Sequence, residues 1–196
     1  KMWHWLEGRF PDRYDSYKIL FSPLVGGAHA TQNYSDNGHK ETIMFVNAPI
    51  YPEDYTVVQK EIEASRVVFT EIDHNYINPI SDDLSKLINQ SFNERFYWVL
   101  DDPGLDAYPT PYSVFNEYMT WSLFPLYCID NFPTSVYSSY LKILENDMIR
   151  KRGFIKFDIF NRKVIEVYEL NKEISGNELI VTMLNWSRSN QVETKE

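Results

Sequence analysis

The chain changes character at Pro49 and Pro52, and that change constrains its fold more than any other feature. Before these prolines lie two strand candidates, Tyr17 to Pro23 and Lys40 to Ala48, with turn or loop signals at Gly26-Gly27 and from Asn33 to Gly38. A short helix over Trp3 to Phe10, broken at Pro11, precedes them. After the prolines the apolar residues recur at helical spacing. Asp54 is placed to cap a long helix that holds Glu71 and His74, and Ser81 or Asp82 to cap another reaching about Val99. Ser113 opens a run containing Glu117, and Thr134 opens a helix ending near Arg152. Phe154 to Leu170 and Ile174 to Trp186 also read as helices, and the acidic tail from Gln191 to Glu196 as a frayed end. The expected fold class is therefore α+β, mainly helical: a small N-terminal sheet followed by a helical body, in one domain spanning 1–196.

Composition narrows the function. Nineteen basic residues against 28 acidic ones give a net charge of -9, which opposes binding to a phosphate backbone, so no nucleic-acid partner is expected. The one basic cluster, Arg150-Lys151-Arg152, directly precedes Gly153 and reads as cations and a glycine stop at a helix end. Cys128 is the only cysteine, so an intrachain disulfide and paired-cysteine metal sites are excluded, and its apolar surroundings predict an inert buried thiol. No apolar run is long enough to span a bilayer, and Lys1 opens no visible signal peptide. Met2-Trp3-His4-Trp5-Leu6 reads as the middle of an amphipathic segment, which suggests a trimmed start. Phosphate-loop and G-x-S-x-G patterns are missing.

The chemically specific stretch is Thr70-Glu71-Ile72-Asp73-His74. It matches the helix H-E-x-x-H with the first histidine replaced by threonine; in the intact motif two histidines bind zinc and the glutamate activates the metal-bound water. The apolar run Ser65 to Phe69 leads into it, and Asn75 to Pro79 follows, with Pro79 expected to end the helix. Asp73, about 100° of helical rotation from His74, is expected to face solvent or cap a neighbour. Downstream, Phe115-Asn116-Glu117-Tyr118-Met119-Thr120-Trp121 offers a carboxylate on a second helix. The irregular connection from Asp101 to Pro111 precedes that helix and reads as a solvated connector, with a cleft rim as the alternative.

These stretches, together with Ser22-Pro23-Leu24-Val25-Gly26-Gly27, resemble the gluzincin clan of zinc peptidases, and within it a bacterial family of exported domains of unknown function. The resemblance spans most of the chain. It implies a zincin-like fold, export to the periplasm, cell surface or medium, and a peptide or protein as substrate or ligand. It places Glu71 as general base, His74 as second metal ligand and Glu117 as third, with Thr70 at the missing ligand position. A threonine hydroxyl is a poor zinc donor, so zinc binding is expected to be weak or absent and hydrolysis impaired. Thr70→His is then expected to restore strong zinc binding. His29, Tyr76, Tyr112 and Tyr118 are candidates to line the cleft, a tyrosine there being able to stabilise an oxyanion. Two other readings stand beside the degenerate domain. One is an active zinc hydrolase with a replaced first ligand; the other is a non-catalytic module binding protein or glycan through surface aromatics.

Overall fold

The computed structural model describes residues 1–26 and 29–192. Gly27, Ala28 and the tail residues 193–196, on which parts of the expectations fall, lie outside the described residues. The architecture is α+β and mainly helical, with one small sheet near the N-terminus. Helix α1 (Met2–Glu7) leads to strand β1 (Ser16–Phe21), then β2 (Ala30–Asp36) and β3 (His39–Val46). The sheet order is β1-β3-β2, with β1 parallel and β2 antiparallel to the central β3. Thr42, Met44 and Val46 of β3 alternate with more exposed neighbours and are fully buried, so one face of the sheet packs onto the helices.

Strand β2 corrects the expected loop from Asn33 to Gly38. Its residues are largely exposed, and its place is set by backbone pairing with β3 rather than by hydrophobic alternation. Only Asn37 and Gly38 form the turn.

Helix α2 (Val57–Ile72) begins at Thr56 rather than Asp54. The Thr56 hydroxyl accepts from Gln59 N at 3.3 Å while Gln59 Oε1 accepts from Thr56 N at 2.9 Å, a reciprocal cap that satisfies two helix-end amides. Ser81 and Asp82 prove to lie inside α3 (His74–Asp83), and the remaining run divides into α4 (Ser85–Ser91) and α5 (Arg95–Trp98). Pro79 sits within α3 and does not end it. A proline removes one amide, here the partner of the Asn75 carbonyl, and the Tyr14 hydroxyl approaches that carbonyl at 3.4 Å.

Helix α6 (Pro111–Asn131) is the centre of the body. Val114, Phe115, Tyr118, Met119, Leu123, Phe124 and Leu126 are buried, so it is apolar around most of its circumference, as a helix enclosed by others must be. Its cap is Thr110, with Pro111 in the first turn and Ser113 as the reciprocal partner. Around it pack α2, α3, α4, α7 (Thr134–Arg150) and α8 (Phe157–Leu170), with α9 (Gly176–Val192) against α4 and α8. Cys128 is buried there, and desolvation pushes its thiol pKa up. Among the described residues no helix is long and apolar enough to cross a membrane.

Candidate functional site

The sequence motif is divided between two helices. Helix α2 stops at Ile72 and α3 starts at His74, leaving Asp73 as the joint. Asp73 keeps right-handed helical angles (φ -69, ψ -23), so the chain turns by little, and Arg66, Thr70, Glu71 and His74 still share one side. The sheet pins this joint: Asn75 Nδ2 donates to the Thr42 hydroxyl at 3.0 Å.

Asp73 does not face solvent. It is fully buried, its side chain makes no capping hydrogen bond, and among the described residues no other side chain pairs with its carboxylate. Desolvation, with Glu71 and Glu117 adding like charge, holds its pKa well above the ordinary carboxylate value.

A cavity of about 430 Å³ opens beside the joint, lined by His29, Arg66, Thr70, Glu71, His74, Tyr108, Glu117, Trp121 and Arg152. The structure thus brings His29, Thr70, Glu71, His74 and Glu117 together around one space. It does not bring the other tyrosine candidates there. Tyr76 is buried against the sheet and hydrogen-bonded to Tyr17, Tyr112 donates to Asp82 at 2.6 Å, and Tyr118 donates to the Trp98 carbonyl at 2.7 Å inside the core. Tyr118 follows Glu117 by one residue, which on a helix turns it about 100° away from the cavity.

The floor of the cavity is a ladder of charges and rings. On α2, Arg66 pairs with Glu63, which also accepts from the Tyr140 hydroxyl of α7. On α6, Glu117 Oε2 accepts from Arg152 at 2.8 Å and from Trp121 Nε1 at 3.0 Å, one helical turn on. The Trp121 ring has both guanidiniums within cation–π range, that of Arg66 at 5.0 Å and that of Arg152 at 4.5 Å. Arg152 also donates to the Tyr108 hydroxyl at 2.9 Å. Tyr108 belongs to the Asp101 to Pro111 connection, which therefore rims the cleft; Arg95 holds it by donating to the carbonyls of Leu105 and Tyr108, both at 2.9 Å.

Arg152 arrives by a helix stop. Helix α7 ends at Arg150, and Gly153 takes a left-handed conformation (φ +74) that turns the chain back over the site. The glycine stop was legible in sequence, but the Arg152 side chain serves the cleft rather than the helix end.

Glu71 stands apart from the ladder. Burial, with the Glu117 charge adding to it and Arg152 opposing, raises its pKa from the usual value to about 7. The His29 pKa is lowered by burial and by Arg66, which keeps its ring neutral at physiological pH.

Two of the expected donors are already engaged. The Thr70 hydroxyl donates to its own helix, at the Arg66 carbonyl 3.0 Å away, and Glu117 is taken by Arg152 and Trp121. Among the described residues no group of three or more His, Cys, Asp or Glu side chains is arranged to hold a metal ion. Arg66 and Arg152 stand in the cavity wall, each paired with a carboxylate. Comparison with protein-family models, curated proteins and solved structures finds no match.

Proposed function

We propose that the chain is a gluzincin-like domain, zincin-like in arrangement and exported, in which zinc chemistry has been lost and the cleft binds a peptide or protein segment. One observation carries the reading: Glu117, at the position of the third metal ligand, is held by Arg152 and Trp121. With Thr70 at the first ligand position and bonded to its own helix, Glu71 and His74 are the motif residues left without a hydrogen bond among the described residues, fewer than the three ligands of a catalytic zinc site. The cavity itself persists, polar and large enough for a side chain or a short stretch of backbone. A module working through surface aromatics has less support. Phe21 and Tyr34 are exposed near opposite ends of the sheet and Phe96 lies on α5, so these rings make no common patch.

The test is metal analysis of protein purified without chelator, alongside binding of a peptide library. Negligible zinc together with saturable peptide binding is the expected result. Stoichiometric zinc that is lost in His74→Ala or Glu117→Gln would overturn the reading.

A further inference from the structure

We infer that the ligand of this cleft presents a primary ammonium group to Glu71, with a bulky apolar side chain one or two residues away seated in the adjoining cavity. The inference rests on the peptide-binding reading above and deepens it.

Charge pairing around the cavity points to a cation. Arg66 is answered by Glu63 and Arg152 by Glu117, which leaves Glu71 as a carboxylate with no hydrogen bond and no ion pair among the described residues, facing the open space. An anionic ligand would meet two guanidiniums already neutralised and one carboxylate left bare. A cation would complete the set.

The same surroundings favour ammonium over guanidinium. An ammonium is a compact charge with three donors, and the cavity offers it a carboxylate, the lone pairs of the Thr70 hydroxyl and a neutral ring nitrogen of His29. A guanidinium gains most where it can stack, and the Trp121 ring already has two guanidiniums against it.

The apolar half comes from a neighbouring cavity of about 330 Å³ that shares Arg66, Trp121 and Arg152 with the first. Its wall includes Tyr55, Ile143, Leu144 and Ile50, and Ile50 is 92% exposed. An isoleucine so bare beside a cavity gains from being covered by an apolar side chain. Because the two cavities share three lining residues, residues one or two apart on an extended peptide can reach both.

The experiment measures binding of the full chain to three peptides by calorimetry. The first has blocked ends and a lysine beside a leucine, the second is the same with the lysine acetylated, and the third lacks lysine but has a free amino terminus beside leucine. At least one ammonium peptide should bind roughly tenfold more tightly than the acetylated one, the equivalent of a single partly buried ion pair. The tighter of the two identifies the source as lysine or terminus. Glu71→Gln should abolish the difference. Equal affinity for all three peptides, or a preference that survives in Glu71→Gln, would overturn the ammonium inference and leave peptide binding standing. Failure of every peptide to bind would remove both. The acetylation comparison needs no variant, so it decides even if Glu71→Gln folds poorly.

Discussion

Arg152 donates to Glu117 at 2.8 Å across 35 positions of sequence, and this pair joins the end of α7 to the middle of α6. The Glu117 side chain is only 13% exposed, so it cannot recover full hydration if its partner is removed. Arg152→Met should therefore lower unfolding free energy by about 1 to 2 kcal/mol, and Glu117→Gln should recover part of that loss in the double variant. Urea denaturation of the two single variants and the double closes the cycle; simple additivity would mean that the pair contributes no coupling.

Zinc affinity should respond to two positions together. Thr70→His alone, sufficient by the motif, adds an imidazole but leaves Glu117 bound to a guanidinium. We expect Thr70→His to tighten zinc binding little, and Thr70→His with Arg152→Met to tighten it by about tenfold or more, as three ligands become available. Competition with a chromophoric chelator reads both. A tight site in the single variant would show that zinc displaces Arg152 unaided.

The Glu71 carboxyl gives stability a pH dependence of definite sign. Its folded pKa of about 7 exceeds the ordinary 4.5, so the folded state binds the proton more tightly. Its contribution is fully present below pH 4.5 and is lost as pH rises through about 7. Across that window the wild type should lose about 1 to 3 kcal/mol relative to Glu71→Gln. Parallel stability profiles for the two proteins would refute the shift.

Asp73 should behave in the same direction and more strongly at high pH, since its carboxylate is buried without a side-chain partner among the described residues. Asp73→Asn keeps the shape and removes the charge. It should raise stability at pH 8 by about 1 to 3 kcal/mol, with a smaller gain at pH 5. Thermal melts at the two pH values test this, and a loss of stability at pH 8 would mean that the ionised form is favoured in the joint.

Gly153 sets the aim of Arg152. Its φ of +74 is costly for other residues, and a Cβ there would come within 2.7 Å of Leu105 Cδ1. Gly153→Ala should cost about 1 to 3 kcal/mol and weaken peptide binding along with stability. Unchanged melting and binding would show that the turn relaxes freely.

How far the site could be read in sequence depended on whether a residue is placed by its own helix. Thr70, Glu71 and His74 follow helical spacing, and so do two lining residues that went unremarked. Arg66 stands four before Thr70, and Trp121 four after Glu117, so both were within reach of the same periodicity. Arg152 was not, because its position follows from a turn at Gly153 and from packing of α7, neither of which leaves a local pattern. Strand β2 escaped for a related reason: its polar, exposed residues are held by the backbone of β3. Pro79 misled because a helix can continue past a proline when little is asked of the freed carbonyl, here approached by Tyr14. Asp73 misled because a carboxyl buried with no side-chain partner among the described residues is the opposite of what acidic residues usually do.

The sheet carries a consequence for the order in which the protein assembles. Strands β2 and β3 are joined by the two-residue turn Asn37-Gly38, with φ of 48 and 84, a geometry that closes hairpins locally. Such a hairpin forms in about 1 to 10 μs, ahead of most tertiary contacts. Strand β1 comes earlier in the chain but pairs in parallel with β3, across the whole intervening hairpin, so its docking demands closure of a longer loop. The first strand to be synthesised is then the last to be laid down in the sheet.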